Sequence, residues 1–153
     1  MIAAPNEIVM SRVFDAPREL VYEMWTDPQH VESWFGPRGF TMTIESMDVR
    51  PGGSWIFTMH GPDGTDYPNH IIYRTIDPPS RLAYSHLAPK FDVEITFENE
   101  RGKTRITNRM IFETAEYRDQ IAQKYGAIDG LTQTVLERDL RFPAGLAHDF
   151  LAR

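Results

Sequence analysis

The sequence contains no cysteine. Disulfide bonds, thiolate metal ligands and thiol nucleophiles are therefore excluded together, and such a composition is typical of a reducing compartment. Long apolar runs are missing too, since no stretch approaches the roughly 20 residues of a membrane span. Residues 1–7 lack the basic start and apolar core of a secretion signal. We therefore expect a cytoplasmic protein without membrane contact.

An excess of positive charge is also missing. Lysine and arginine number 16 against 22 acidic residues, which gives a net charge of -6, and the basic residues are scattered along the chain. A nucleic-acid-binding surface needs clustered basic residues to contact phosphates. We therefore expect no nucleic acid partner.

Strong catalytic signatures are not found in the sequence. It has no nucleophile elbow, zinc-binding helix motif, phosphate-binding loop or dinucleotide fingerprint. None of the five histidines is paired at the HxxxH spacing of a helical metal site. We therefore predict no metal, no organic cofactor and no catalytic residue, and whether the protein is an enzyme stays open.

What is present is an ordinary globular composition. The chain has 153 residues, of which 41% are hydrophobic, 25% charged and 12% aromatic. This length is enough to bury a core without a disulfide or a structural metal. We predict one domain over 1–153, with its core at about 7–142 and a short C-terminal tail at 143–153.

The first part of the chain predicts a strand followed by two short helices. Residues 7–14 are typical of a strand, and Pro17 then opens a helix that runs through Trp25. Asp27 is a suitable N-cap for a second helix, because Pro28 would occupy the first helical position, where its missing N–H costs nothing.

From residue 40 to residue 112 the hydrophobic period changes to two. Short apolar runs alternate with turns rich in Gly, Pro, Asn and Asp, which predicts about six strands in a meander. The glycines at 52–53 and 61–64 are interpreted as turn residues. Apolar residues at 91, 93, 95 and 97 alternate with polar ones, and Ile106, Met110 and Phe112 continue this buried face on the last strand.

After Thr114 the pattern becomes helical, at 115–124 and again at 127–142. An apolar stripe of Ile128, Leu131, Val135 and Leu136 has helical spacing, and Pro143 ends it. Because the apolar face of a sheet must be covered, this helix should pack against the concave face of the curved sheet. The predicted fold is α+β, with a curved antiparallel sheet wrapped around a long C-terminal helix and two short helices between the first two strands.

Several short motifs occur in an order that resembles a known family. The motifs are FDAP at 14–17, Val21, WTDP at 25–28, WFGP at 34–37, DVRPGG at 48–53, HGPDG at 60–64, DPPSRL at 77–82, TRI at 104–106 and YGAIDG at 125–130. This set resembles the START-like (SRPBCC, helix-grip) superfamily, in the branch similar to the C-terminal domain of the activator of the heat-shock-protein ATPase. Asp139 and the RFP sequence at 141–143 depart from the unbroken, leucine-rich last helix of that family.

The resemblance leaves two hypotheses about function. Related folds bind lipids, hormones or polyketides, which implies a small-molecule binding module, with weak lyase or cyclase activity as an open extension. The alternative is an interaction protein that modulates a chaperone in the stress response, as the activator does. We favour binding, because the activator carries an additional N-terminal domain for which 153 residues leave no room.

The candidate binding residues are mainly apolar side chains, with a few polar ones that could hold a ligand. They lie on the second short helix, which should close one end of the curved sheet, and on strand faces. They are Trp34, Phe35, Trp55, Phe57, Met59, His70, Tyr84 and His86. Each also suits plain core packing or, for the histidines, a backbone hydrogen bond near a strand end. Together they predict an internal pocket that binds a small apolar or aromatic partner, and a homodimer is a further possibility.

Overall fold

The structure is a computed structural model, and it describes residues 4–35 and 39–125. Its elements follow the chain as β1 (Glu7–Phe14), α1 (Arg18–Thr26), α2 (Pro28–Trp34), β2 (Thr41–Met47), β3 (Ser54–His60), β4 (Asp66–Asp77), β5 (Arg81–Leu87), β6 (Lys90–Glu100), β7 (Lys103–Ile111) and α3 (Ala115–Tyr125). The predicted order of a strand, two helices, six strands and a helix is confirmed.

The junction of the two short helices is built around Asp27. Its backbone N–H donates to the Glu23 carbonyl and closes α1, while its carboxylate accepts the Gln29 N–H at 2.9 Å and opens α2. Pro28 occupies the first position of α2, where an N–H would have no helical partner. The predicted cap is confirmed.

The seven strands form a curved antiparallel sheet in the order β1-β7-β6-β5-β4-β3-β2. β1 therefore pairs with β7, in a register that places Glu7 opposite Ile111 and Phe14 opposite Thr104. The remaining strands pair with their neighbours in sequence, as expected for a meander. The α+β helix-grip fold predicted from the sequence is confirmed.

One face of the sheet carries most of the buried side chains, and we call it the inner face. On β6 the alternation is as predicted, since Val93, Ile95 and Phe97 are buried there. Helix α1 covers one end of this face, where Tyr22 and Trp25 contact the Phe97 ring at centroid distances of 5.0 and 5.8 Å. The side chains on the opposite, outer face are mostly polar.

The glycine-containing turns have a structural cause. A Cβ added to Gly53 would lie 2.0 Å from the Asp48 carbonyl oxygen, so only glycine fits this close approach between β2 and β3. Gly64 has a φ of +86°, a conformation that favours glycine in the turn before β4. The interpretation of these glycines as turn residues is confirmed.

Helix α3 closes the described part of the chain. Thr114 precedes it and accepts the Tyr117 N–H with its hydroxyl at 3.0 Å, and Arg118 donates to the Glu7 carbonyl of β1 at 3.0 Å. The predicted stripe at 127–142 and the tail at 143–153 lie outside the described residues. None of the described helices is long and apolar enough to cross a membrane.

Candidate functional site

Five aromatic side chains form a connected cluster on the inner face, which we call the aromatic cluster. They are Phe35, Trp55, Phe57, Tyr73 and Tyr84. Trp55 is central, because its ring lies 4.3 Å from Phe57, 5.3 Å from Phe35, 6.5 Å from Tyr73 and 6.4 Å from Tyr84. Most of these contacts are edge-to-face or stacked, the geometries that aromatic pairs favour.

The local sequence explains how the cluster is assembled. Alternation along β3 puts Trp55 and Phe57 on the inner face, as predicted. The register places Tyr73 opposite Tyr84, so both rings share that face. Phe35 directly follows α2, and its N–H donates the last backbone hydrogen bond of that helix to the Val31 carbonyl. Phe35 is half-buried, whereas the other four rings are buried.

Two further candidate residues border the cluster. Trp34 is buried between the short helices, where its ring lies 4.4 Å from Trp25 and its Nε1–H donates to the Met24 carbonyl at 2.7 Å. Trp34 therefore anchors α2 to α1, and its ring lies 5.5 Å from the Phe35 ring of the cluster. Met59 is buried on β3, two residues beyond Phe57 on the same face.

Three buried polar atoms on the inner face have no hydrogen-bond partner within the described residues. They are Trp55 Nε1, the Tyr73 hydroxyl and Asn108 Oδ1. Buried polar groups are nearly always paired, and each exception costs about 1–3 kcal/mol. Burial raises the pKa of Tyr73, with further contributions from the nearby Tyr84 and Tyr22, and burial alone raises the pKa of Tyr84. Both hydroxyls are therefore neutral at physiological pH.

His86 is held by hydrogen bonds at both ring nitrogens. Nδ1 lies 2.7 Å from the Pro89 carbonyl oxygen, and Nε2 lies 2.6 Å from Oδ1 of Asn69. The ring is stacked on Phe91 at 4.6 Å. Because Asn69 Nδ2 also donates to the Tyr67 carbonyl at 2.8 Å, its amide orientation is fixed with the oxygen towards His86.

Two effects shift the pKa of His86 in opposite directions. Both ring nitrogens face oxygen atoms, so the hydrogen bonds are complete only when both nitrogens carry protons. Burial lowers the pKa of His86, and the hydrogen bond to Pro89 raises it in part. The loss of solvation is the larger effect, so the net direction is downwards. The buried His86 ring is therefore held in one orientation by its hydrogen bonds to Pro89 and Asn69.

The prediction that His70 faces the pocket is wrong. The register places His70 opposite Ile56, on the outer face, and its Nε2 lies 3.3 Å from the Ser54 hydroxyl. The buried side chains of β4 are Ile71 and Tyr73, one residue out of phase with His70. A strand shows successive side chains on opposite faces, so His70 cannot share a face with the aromatic cluster.

A chain of hydrogen bonds on the outer face joins β2, β3 and β4. Thr43 Oγ1 lies 2.7 Å from Nε2 of His60, whose Nδ1 lies 2.7 Å from Oδ1 of Asp66. A hydroxyl, an imidazole and a carboxylate occur in this order in acyl-transfer sites. Here Thr43 and Asp66 are exposed on a sheet face, where water has free access. We assign the group to strand pairing.

One group of side chains in the described part of the chain has the donors for a metal ion. Glu23, Asp27 and His30 place their ligand atoms within 4.8 Å of one another. Asp27 already accepts the Gln29 N–H as the cap of α2, and His30 lies 4.0 Å from the Glu23 carboxylate. Capping and this contact explain the group, so we assign no ion to it.

Comparison with known protein families identifies the chain. Residues 15–138 match the family described as activator of Hsp90 ATPase homolog 1-like protein. The chain belongs to this AHSA1-like family. The resemblance stated from the motifs is therefore confirmed. No curated protein matches the chain.

Solved structures share the AHSA1-like fold. A solution structure of an Arthrobacter aurescens protein is 25% identical, with a TM-score of 0.79 over 85% of this chain and 81% of its own. A Mycobacterium smegmatis crystal structure is also 25% identical, with a TM-score of 0.75 over 85% and 86%. A protein from Nitrosomonas europaea is 22% identical, with a TM-score of 0.77 over 88% and 92%, and supports the fold alone.

Three residues in or beside the aromatic cluster were not predicted from the sequence. Asn69 and Tyr73 lie on β4, and Asn108 lies on β7. Their places depend on register, since Asn69 is opposite Phe57 and Asn108 is opposite Ile95. An asparagine within an otherwise apolar strand pattern was the available signal, because such a side chain on the buried face needs a partner.

Proposed function

We propose that the aromatic cluster binds a small, mainly apolar, ring-containing molecule without a metal or an organic cofactor. The observation that carries the proposal is the position of Phe35, a half-buried ring that lies against both Trp55 and Phe57. Ligand sites are commonly apolar and aromatic, with a few polar groups that fix orientation. The Tyr84 hydroxyl supplies such a group at the edge of the cluster, whereas both ring nitrogens of His86 are already hydrogen-bonded to Pro89 and Asn69.

Phe35 has the properties of a ring that a ligand can replace. It contacts Trp55 and Phe57 edge-on at 5.3 and 6.2 Å, and it follows the last turn of a short helix. A ligand ring in its place would form the same two aromatic pairs, each worth about 0.5–1.5 kcal/mol, and so would compensate for the pairs that Phe35 gives up. Trp34 and Met59 support this site from either side and contribute mainly packing.

The proposal is tested by titrating the protein with benzophenone, a neutral two-ring probe, and following intrinsic fluorescence in a variant that retains only Trp55. Saturable quenching is expected. Phe35→Ala should raise the affinity at least threefold, because the probe no longer has to displace the Phe35 ring from Trp55 and Phe57. The matched control is Phe40→Ala, which removes another half-buried phenylalanine that contacts Tyr67 at 6.0 Å.

Linear, non-saturating quenching would overturn the proposal, and so would equal affinity changes in the Phe35 and Phe40 variants. Native mass spectrometry of the freshly purified protein adds a second measurement, because it detects any retained small molecule and its mass. The same spectrum reports whether the protein forms the homodimer that we include in the proposal.

The second candidate function is modulation of a chaperone. It is supported by the family match over residues 15–138, whose description refers to an activator of the Hsp90 ATPase. The test measures the ATPase rate of an Hsp90 chaperone with and without an excess of this protein. A rate increase supports this function, and an unchanged rate contradicts it.

A further inference from the structure

Two of the unpartnered polar atoms belong to neighbouring rings of the aromatic cluster. The Trp55 and Tyr73 rings are nearly parallel, with an interplanar angle of 3° and centroids 6.5 Å apart. The two side chains are 2% and 1% exposed. Trp55 Nε1–H can only donate a hydrogen bond, whereas the Tyr73 hydroxyl can donate or accept one.

Comparable groups nearby are paired. Trp34 donates its Nε1–H to the Met24 carbonyl at 2.7 Å, and Tyr22 donates its hydroxyl to the Arg81 carbonyl at 3.2 Å. The fold therefore supplies acceptors to buried indole and phenol groups in the helix region. Within the described residues, Trp55 and Tyr73 receive none. This contrast singles out the aromatic cluster as the place where an acceptor is missing.

We propose that the ligand brings an uncharged hydrogen-bond acceptor, a carbonyl oxygen on an aromatic ring system, to Trp55 Nε1–H and the Tyr73 hydroxyl. This inference rests on the proposed function, because it names the polar group of the same ligand. A carbonyl oxygen has two lone pairs, so a single carbonyl can accept a hydrogen bond from each of the two donors. A carboxylate is disfavoured, because burying an unpaired charge among aromatic rings costs far more than burying a carbonyl.

Both polar atoms are already enclosed, so the acceptor reaches them only when a covering ring moves. Phe35 is the ring of the cluster that is only half-buried, and it lies directly against Trp55. Its displacement would leave the surrounding sheet contacts of Trp55 with Phe57 and Tyr73 in place.

The test compares benzophenone with 1,1-diphenylethylene, in which a CH₂ group replaces the carbonyl oxygen and the shape is nearly unchanged. The full chain is labelled with ¹⁵N, and the three indole N–H signals are observed by NMR, with Trp55 assigned from Trp55→Phe. We expect benzophenone to bind about tenfold more tightly, which corresponds to about 1.4 kcal/mol. The Trp55 indole proton should move downfield with benzophenone only.

The internal control is the Trp34 indole, which already donates to Met24 and should shift little with either probe. Tyr73→Phe removes the second donor and keeps the ring, so it should reduce the preference for benzophenone at least threefold. Trp55→Phe should reduce the preference likewise. These two variants act independently, so the test remains decisive if one of them folds poorly.

The outcomes separate the two proposals. Equal affinities for both probes, with the Trp55 indole signal unmoved, would overturn the acceptor inference and leave the ligand site in place. Binding of neither probe would contradict the site itself, and the acceptor inference with it. A preference for benzophenone that persists in both variants would also overturn the inference, because the carbonyl would then be recognised elsewhere.

Discussion

Replacing Tyr73 with phenylalanine is expected to stabilise the protein, although the change deletes a polar atom from the core. The side chain is 1% exposed, and its hydroxyl has no partner within the described residues. An unpaired buried polar group costs about 1–3 kcal/mol, because folding removes its water without replacing the hydrogen bond. Phenylalanine removes this penalty and keeps the ring. The free energy of unfolding should therefore rise by about 1 kcal/mol.

The matched control is Tyr22→Phe, which makes the same chemical change at a paired hydroxyl. Tyr22 is also buried, at 5% exposure, and it contacts Phe97 in the core. Its hydroxyl donates to the Arg81 carbonyl at 3.2 Å. Loss of this bond should lower the free energy of unfolding by about 0.5–1.5 kcal/mol. The two variants are therefore expected to change stability in opposite directions.

Urea titration at pH 7 measures both effects, with circular dichroism as the signal and unchanged m-values as the check that the variants unfold in the same way. A change of 1 kcal/mol should also move the melting temperature by about 2–4 °C. A loss of stability in Tyr73→Phe equal to that in Tyr22→Phe would refute the reasoning, because the Tyr73 hydroxyl would then have a partner.

Four further predictions follow from the structure. Burial raises the pKa of Tyr22 to about 12 from an ordinary value of 10.0, and it also raises the pKa of Tyr73. Because the unfolded state therefore loses these protons at lower pH than the folded state, the urea concentration at the unfolding midpoint should decrease as the pH is raised from 10 to 12. An unchanged midpoint would contradict this. Asp27→Ala should lower the free energy of unfolding by about 0.5–2 kcal/mol, because α2 loses its cap, and urea titration measures this loss. His70→Ala should leave the affinity for benzophenone unchanged in the fluorescence titration, because His70 lies on the outer face. Duplex DNA should not be bound specifically at physiological salt, and a sequence-specific gel shift at nanomolar protein would refute this.

Local signals were strong enough to predict most of the fold. The first strand has the predicted bounds, and Asp27 and Pro28 mark the start of α2 as expected. On β6 apolar and polar residues alternate strictly over 91–98, so the buried face of that strand is determined by the sequence itself. On β3 the apolar Ile56 interrupts the alternation, and the large side chains of Trp55, Phe57 and Met59 at every second position indicated the buried face.

The alternation signal fails on β4, and this explains the error at His70. Residues 71–73 are all apolar or aromatic, so the pattern does not show which of them are buried. An assignment that is wrong by one residue places every side chain of the strand on the opposite face of the sheet. Pairing with β3 and a register shift between Tyr73 and Thr75 decide the matter. The unpartnered atoms were beyond prediction too, because hydrogen bonding in the core depends on side chains from distant strands.

The pairing of β1 with β7 has a consequence for how the chain folds. Strands β2 to β7 pair with neighbours in sequence, so their hairpins can form as soon as they leave the ribosome. The first strand can pair only after β7 has been synthesised, because Glu7 pairs with Ile111. Closing the long loop between these two strands makes folding slow. Until that final docking, the backbone edge of β7 is unpaired. A nascent chain that stalls at this point is therefore most exposed to aggregation through β7.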